Sequence, residues 1–202
     1  MSHPPQESPG FIPGEDVNYP PYDEEKLAEL IVHVADRTRD DPGAGATTLN
    51  KLLYFADFAA MRELGRPITS AEYQKLPRGP APRRLRPIRA QLIDAGAVEL
   101  RFVRDALGYE RHRLVALRSA RLELFTADEL RIVDEITDTF RNASAAQISE
   151  LSHHEAAWQL VEDGDTIPYE LAFLVAPSDI PATDRRKAEG HQIAQMYAGR
   201  LA

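Results

Sequence analysis

The sequence predicts an α+β fold, a mainly helical single domain with a small antiparallel β-hairpin. Apolar residues recur at helical spacing in several segments and are densest between residues 49 and 64. Alternating apolar and polar residues, typical of strands, occur at residues 98–102 and 109–117 and predict a hairpin that turns at residues 105–108. The chain has 202 residues and no cysteine, so a single core can stabilise it without disulfide bonds or thiolate-bound metals.

The predicted domain covers residues 23–180, between two terminal segments. Residues 1–22 contain six of the fifteen prolines and show no hydrophobic period, which predicts a disordered or extended tail. The alternative is a tail that packs along the domain or orders on a partner. It rests on the apolar residues of this segment, which are Phe11, Ile12, Tyr19 and Tyr22. Residues 181–202 place apolar side chains at helical spacing and predict a terminal helix.

The first helix is predicted to begin at Asp23. This aspartate provides an N-cap, and the acidic residues Glu24 and Glu25 interact favourably with the positive end of the helix dipole. Apolar residues at helical spacing then define an inner face, formed by Leu27, Leu30, Ile31 and Val34.

The segment Leu49–Leu64 predicts the central helix of the core, capped by Thr47 or Thr48 and ended by Gly65 and Pro67. Apolar residues cover nearly all of its surface, so other elements are expected to pack against most of its sides. One apolar face has two interpretations, because it is either buried by further helices or exposed as a patch that binds a partner. This face consists of Tyr54, Phe58 and Met61.

A short strand, a turn and a helix follow the central helix. The strand is predicted around Tyr73, and Gly79 with Pro80 predicts the turn. The next helix is expected to start near Arg86, which places Pro87 in its first turn, where a missing amide proton costs little. Its apolar positions are Leu85, Ile88, Leu92 and Ile93.

Later helices carry their own start signals. A serine or threonine followed three residues later by glutamate predicts a capping box, in which the hydroxyl accepts from the third helical amide and the carboxylate accepts from the amide of the cap. The two pairs are Thr126 with Glu129 and Ser152 with Glu155. Between them, Ser144 is expected to begin a short helical segment.

Trp158 is the only tryptophan of the chain. Its position on a predicted helix beside Leu160 and Val161 favours packing in the core next to the central helix. The alternative is a binding anchor, because single large aromatic side chains often dominate the energy of an interface.

His153, His154 and Glu155 form the one constellation that suggests catalysis or metal binding. Metal ligands on a helix converge at spacings of three or four residues, whereas adjacent side chains point about 100° apart. The sequence shows neither a glycine-rich phosphate loop nor a recognisable nucleophile. We therefore expect a protein that is not an enzyme and that has no cofactor and no metal site.

The net charge of −8 argues against a surface that generally attracts nucleic acid. The longest apolar run, residues 171–176, is far too short to cross a bilayer, and the first residues do not resemble a signal peptide. We expect a cytoplasmic protein with no membrane partner.

Several short motifs occur in order along the chain. Tyr-Phe-Ala-Asp at residues 54–57, Gly-Arg-Pro-Ile-Thr at 65–69 and Arg-Gly-Pro at 78–80 form a first signature. Ser-His-His-Glu-Ala-Ala-Trp at 152–158 and Ile-Pro-Tyr at 167–169 form a second signature. Together they resemble the Panacea domain of SocA-like antitoxins. The positions that carry the resemblance are Asp57, Gly65, Pro67, Tyr73, Gly79, Pro80, Ser152, Glu155, Trp158, Pro168 and Tyr169.

The resemblance covers roughly residues 25–175 and implies an antitoxin that neutralises a cognate protein toxin by direct contact. In this family the flanking segment helps to choose the toxin, and SocA-like members are also known as adaptors that deliver a toxin to a protease. The resemblance implies no catalytic residue here. The positions that we consider for contact with the toxin are Tyr54, Phe58, Arg83, Arg84 and Arg86.

The segment Arg78–Arg113 favours an alternative function, the binding of DNA or RNA. It contains nine arginines and four acidic residues, and it joins a helix to a hairpin as a winged-helix domain does. The acidic total and the lack of a clear helix-turn-helix before the hairpin argue against this function. An acidic surface of a toxin suits the same arginines equally well.

Overall fold

The computed structural model describes residues 19–104 and 110–174. Most of the regular structure in these residues is helical, and two antiparallel two-stranded sheets accompany the helices. The predicted α+β, mainly helical class is therefore confirmed. Most of the predicted tail, with Phe11 and Ile12, lies outside the described residues, as does the predicted terminal helix. Tyr19 is described and packs against the core, with its ring 5.5 Å from that of Tyr169.

Helix α1 covers Glu24–Arg37 and begins as predicted, because the Asp23 carboxylate accepts a hydrogen bond from the Lys26 amide. Its inner face packs on α2 and forms one side of the core. The buried residues of that face include Leu27, Leu30, Ile31 and Val34.

Helix α2 covers Ala46–Leu64 and is the centre of the core, in contact with α1 and with several later helices and strands. The predicted threonine cap is wrong. Gly45 occupies the N-cap position, and the Thr48 hydroxyl instead donates to the Gly43 carbonyl at 2.9 Å. Gly65 ends the helix as predicted, in the left-handed conformation with a φ of 71°.

The two sheets lie on either side of α3 in the chain. Strand β1 (Tyr73–Gln74) pairs with β2 (Ala81–Pro82), and α3 (Leu85–Asp94) follows with Pro87 in its first turn, as predicted. Strands β3 (Val98–Arg104) and β4 (Glu110–Ala116) pair as predicted, with Val98 opposite Ala116. The predicted turn at residues 105–108 lies outside the described residues.

The remaining helices are α4 (Ala127–Thr139), α5 (Ala145–His154) and the single turn α6 (Ala156–Gln159). Short 3₁₀ helices precede α4 at Leu122–Leu124 and follow α6 at Tyr169–Phe173. The predicted capping box of α4 is confirmed, because Thr126 and Glu129 exchange both expected hydrogen bonds.

The capping box predicted for Ser152 and Glu155 is wrong. The N-cap of α5 is Ser144, eight residues earlier, and its capping box uses Gln147. The expected start of a helix at Ser144 is therefore confirmed, but this helix continues through Ser152. Ser152 therefore lies inside α5, and its hydroxyl donates to the Ser149 carbonyl at 2.7 Å. Glu155 has an extended backbone between α5 and α6. The N-cap lies at Ser144 rather than Ser152 because a continuous helix from this point buries Ile148 against the core.

Candidate partner-binding surface

The two signatures meet around a buried carboxylate. Asp57 on α2 is fully buried and accepts hydrogen bonds from the Thr69 amide at 2.8 Å, the Thr69 hydroxyl at 2.6 Å and the Tyr73 hydroxyl at 2.8 Å. Burial raises the pKa of Asp57, while these donors stabilise its charged form. In the second signature, the Tyr169 hydroxyl donates to the Ala71 carbonyl at 2.7 Å. These side chains therefore fix the loop after α2 in place.

A buried lysine joins α2 to the Arg-Gly-Pro turn. Lys51 is 1 % exposed, and its ammonium group donates to the Pro80 carbonyl at 3.1 Å. Burial lowers the pKa of Lys51 to about 8. Gly79 has a φ of 90°, and a Cβ there would lie 2.4 Å from Ser152 Oγ and 2.5 Å from Lys51 Cε. Only glycine fits this contact between α2, the turn and α5.

Trp158 packs at the edge of the core, where it is half-buried. Its ring centroid lies 4.2 Å from that of His153 and 4.2 Å from the Lys75 ammonium nitrogen. His153 stacks on the indole, and the Lys75 ammonium group lies over the ring in a cation–π contact. Lys75 also donates to the Val161 carbonyl at 2.8 Å. Trp158 thus connects α5 to the segment after β1.

The aromatic residues considered for toxin contact are inside the protein. Tyr54 and Phe58 are both 0 % exposed, so their assignment to a partner-binding patch is wrong. Their ring centroids are 4.2 Å apart, and Tyr169 lies 4.9 Å from Phe58. The loop after α2 and the 3₁₀ helix that begins at Tyr169 cover this face, although neither segment shows a hydrophobic period in the sequence.

The three arginines considered for toxin contact differ in their surroundings. Arg83 donates to the Gly164 carbonyl at 2.8 Å and to the Thr166 hydroxyl, and Arg84 forms an ion pair with Glu24 at 2.9 Å. Both side chains thus connect the residues just before α3 to other parts of the fold. Arg86 is exposed, and the structure shows no hydrogen bond or ion pair between its side chain and any described residue. Of the three, Arg86 is the one that is available to a partner.

The hairpin also uses its arginines internally. The guanidinium group of Arg113 donates to the carbonyls of Arg39, Asp41 and Ala44, which holds β4 against the connection between α1 and α2. Arg101 forms an ion pair with Glu99 on its own strand. Much of the charge that favoured nucleic-acid binding is therefore neutralised or occupied within the fold.

Two further findings concern only residues 19–104 and 110–174. No three or more histidine, aspartate or glutamate side chains gather there in a way that could hold a metal ion. No helix in this part of the chain is long and apolar enough to cross a membrane.

Sequence reasoning missed the buried carboxylate of Glu29. Its residue is 1 % exposed, and Arg118 donates to both carboxylate oxygens at 2.6 and 2.8 Å. Arg121 adds its backbone amide at 2.9 Å and its side chain at 3.1 Å. The side chain of Arg118 and the other donors lower the pKa of Glu29 to about 2, although burial opposes this shift. Its sequence context offers no signal, because the partners lie about 90 residues away.

The chain was also compared with known protein families, curated proteins and solved structures. Residues 49–159 match the family model described as the antitoxin SocA-like, Panacea domain. This is a class of antitoxin-type domains, and the match spans the first signature and the Ser152–Trp158 motif. Because the match covers more than half of the chain, the protein belongs to the SocA-like Panacea family. Searches of curated proteins and of solved structures found no match.

Proposed function

We propose that this protein is an antitoxin that neutralises a cognate toxin by direct protein contact, with no catalysis and no cofactor of its own. The observation that carries the proposal is its membership of the SocA-like Panacea family. The structure supports separate roles for buried and exposed residues. Signature residues such as Asp57, Tyr73 and Gly79 are buried and stabilise the fold. The exposed surface around them is then the part that recognises the toxin.

The proposed mechanism is occlusion in the cytoplasm. The antitoxin covers the active site or substrate-binding surface of the toxin in a stable complex, with an interface of about 800 Å² on each partner. Delivery of the bound toxin to a protease is a compatible second step. It requires the same complex to form first, so both steps depend on direct contact.

Expression of the toxin from an unrelated promoter tests this proposal. The protein encoded by the adjoining reading frame is produced with and without this chain, and growth is compared. Direct neutralisation predicts that growth is rescued and that the two proteins co-purify after nuclease treatment. An unchanged amount of toxin in rescued cells indicates occlusion, and a reduced amount that recovers when cellular proteases are inactivated indicates the adaptor role.

Rescue that requires the toxin's own promoter would contradict the proposal. That result would favour the alternative function, in which the segment Arg78–Arg113 binds nucleic acid and represses transcription. Co-purification that is lost on nuclease treatment would also favour binding through nucleic acid over direct protein contact.

A further inference from the structure

We propose that the outer face of α3 binds an acidic patch on the toxin. This face consists of Arg86, Arg89, Ala90 and Ile93, and the inference rests on the proposed antitoxin function. It identifies the part of the surface that contacts the toxin and the chemistry of the group that is bound.

The four residues form one continuous stripe along the helix. They are spaced at i, i+3, i+4 and i+7, the spacing that places side chains on one side of an α-helix. Leu85, Ile88 and Leu92 lie on a different side of the helix and are buried in the core. Arg86 and Ala90 are exposed, Ile93 is 37 % exposed, and Arg89 is half-buried at the edge of the stripe.

The arginines of this face have no partners within the described part of the chain. Other arginines whose side chains are described bind carboxylates or carbonyls, as Arg84 does with Glu24 at 2.9 Å and Arg131 does with Glu63 at 2.9 Å. The structure shows no such contact for Arg86 or Arg89, and Arg78 in the turn before β2 is the remaining case. On a chain with a net charge of −8, unpaired cations are unusual because acidic partners are plentiful.

The stability of α3 gives no reason for these charges. Its first turn contains no acidic residue, and Arg86 lies there beside the positive end of the helix dipole, an unfavourable position for a cation. Arg86 and Arg89 are also like charges three residues apart, which destabilises a helix slightly. The arrangement is therefore better explained by a bound partner than by folding.

Carboxylates on a protein are the partner that fits best. Guanidinium groups bind carboxylates through paired hydrogen bonds, and Ile93 at the end of the stripe adds apolar contact of the kind found in protein interfaces. A nucleic acid fits less well, because the acidic chain repels phosphates. Arg83, Arg84 and Arg113 are also held by contacts within the fold.

Charge reversal of the face tests the inference. The double variant Arg86→Glu with Arg89→Glu should raise the Kd for the purified product of the adjoining reading frame by about tenfold or more, mainly through slower association. The dependence of the association rate on salt should also become weaker. The melting midpoint should be unchanged or slightly raised, because an acidic residue in the first turn suits the helix dipole.

The matched control is Arg131→Glu with Arg141→Glu, which applies the same change in net charge at arginines that are already paired. This control should bind the toxin with nearly unchanged affinity. If both double variants lose affinity equally, the effect comes from net charge alone and the assignment to α3 is wrong.

The remaining outcomes separate this inference from the proposed function. If the α3 variant binds the toxin as tightly as wild-type protein does, only the inference about α3 is overturned. Wild-type protein that does not bind the toxin would overturn both. The α3 variant could instead keep toxin binding and lose salt-dependent binding to a DNA duplex, which would assign the face to nucleic acid. If it keeps toxin binding and loses a homodimer seen by sedimentation, the face is assigned to a second copy of the chain.

Discussion

Replacing Glu29 with glutamine tests how much stability depends on a single buried carboxylate. The side chain keeps its shape but loses its charge, while Arg118 and Arg121 keep theirs. In the wild-type protein these arginines lower the pKa of Glu29 from its ordinary value of 4.5 to about 2. Glu29→Gln should therefore remove most of the stability that this shift represents.

The magnitude follows from the size of the shift. Each pKa unit corresponds to about 1.4 kcal/mol, so the full shift corresponds to roughly 3 kcal/mol. Arg118 is 40 % exposed and Arg121 is 47 % exposed, so water screens part of the interaction. We expect Glu29→Gln to lower the free energy of unfolding by about 2 kcal/mol at pH 7, which is a fall of roughly 4–8 °C in Tm.

Urea unfolding is the appropriate assay, because guanidinium chloride would screen the charges. The folded-state pKa of Glu29 is depressed, so its stabilisation is fully present above about pH 4.5 and is lost as the pH falls towards 2. The difference between wild type and variant should shrink over the same range. Glu25→Gln is the control, since Glu25 contacts Arg121 at 2.8 Å but is 60 % exposed, and it should cost less than about 0.5 kcal/mol.

Two results would refute this reasoning. One is a Glu29→Gln variant that is as stable as wild type at pH 7. The other is a difference in stability that stays constant from pH 7 to pH 2, which would show that packing rather than charge is responsible.

Three further predictions concern the buried Lys51, the turn at Gly79 and the cap of α5. Lys51→Met should be at least as stable as wild type at pH 7. The free energy of unfolding of wild type should rise relative to that of the variant between pH 8 and pH 10, because the folded-state pKa of Lys51 is lowered to about 8. Thermal melts across this pH range check the sign of the change. Gly79→Ala should cost about 2–4 kcal/mol in urea unfolding, through its φ of 90° and the contact with Ser152, and a neutral result would show that the turn moves freely. Ser144→Ala should cost about 1 kcal/mol through the lost cap, whereas Ser152→Ala should cost less; the reverse order would contradict the helix boundaries.

Local sequence signals predicted much of the fold correctly. Asp23, Gly65 and the pair Thr126 with Glu129 mark helix ends through contacts within a few residues, so the sequence alone contains the required information. The pairing of β3 with β4 also follows from alternation within two neighbouring runs. These features depend on near neighbours in the chain.

The errors arise where distant segments decide the outcome. Ser152 and Glu155 match the same capping pattern as Thr126 and Glu129, but packing of α5 on the core selects an earlier start. Arg83 and Arg86 are nearly adjacent in sequence, yet only Arg83 meets the loop that contains Gly164. The availability of Arg86 to a partner became visible only when those long-range contacts were known.

Trp158 gives the protein an internal optical reporter. As the only tryptophan, it supplies all the indole fluorescence of the chain, and its contacts with His153 and Lys75 make that emission sensitive to the packing of α5 against the segment after β1. Burial keeps the pKa of His153 below its ordinary value, so the imidazole stacked on Trp158 gains its charge only in acid. The emission is therefore expected to change as the pH falls into the acid range. If a toxin binds at α3 as proposed, a change in the Trp158 emission would show that binding alters the packing around this residue.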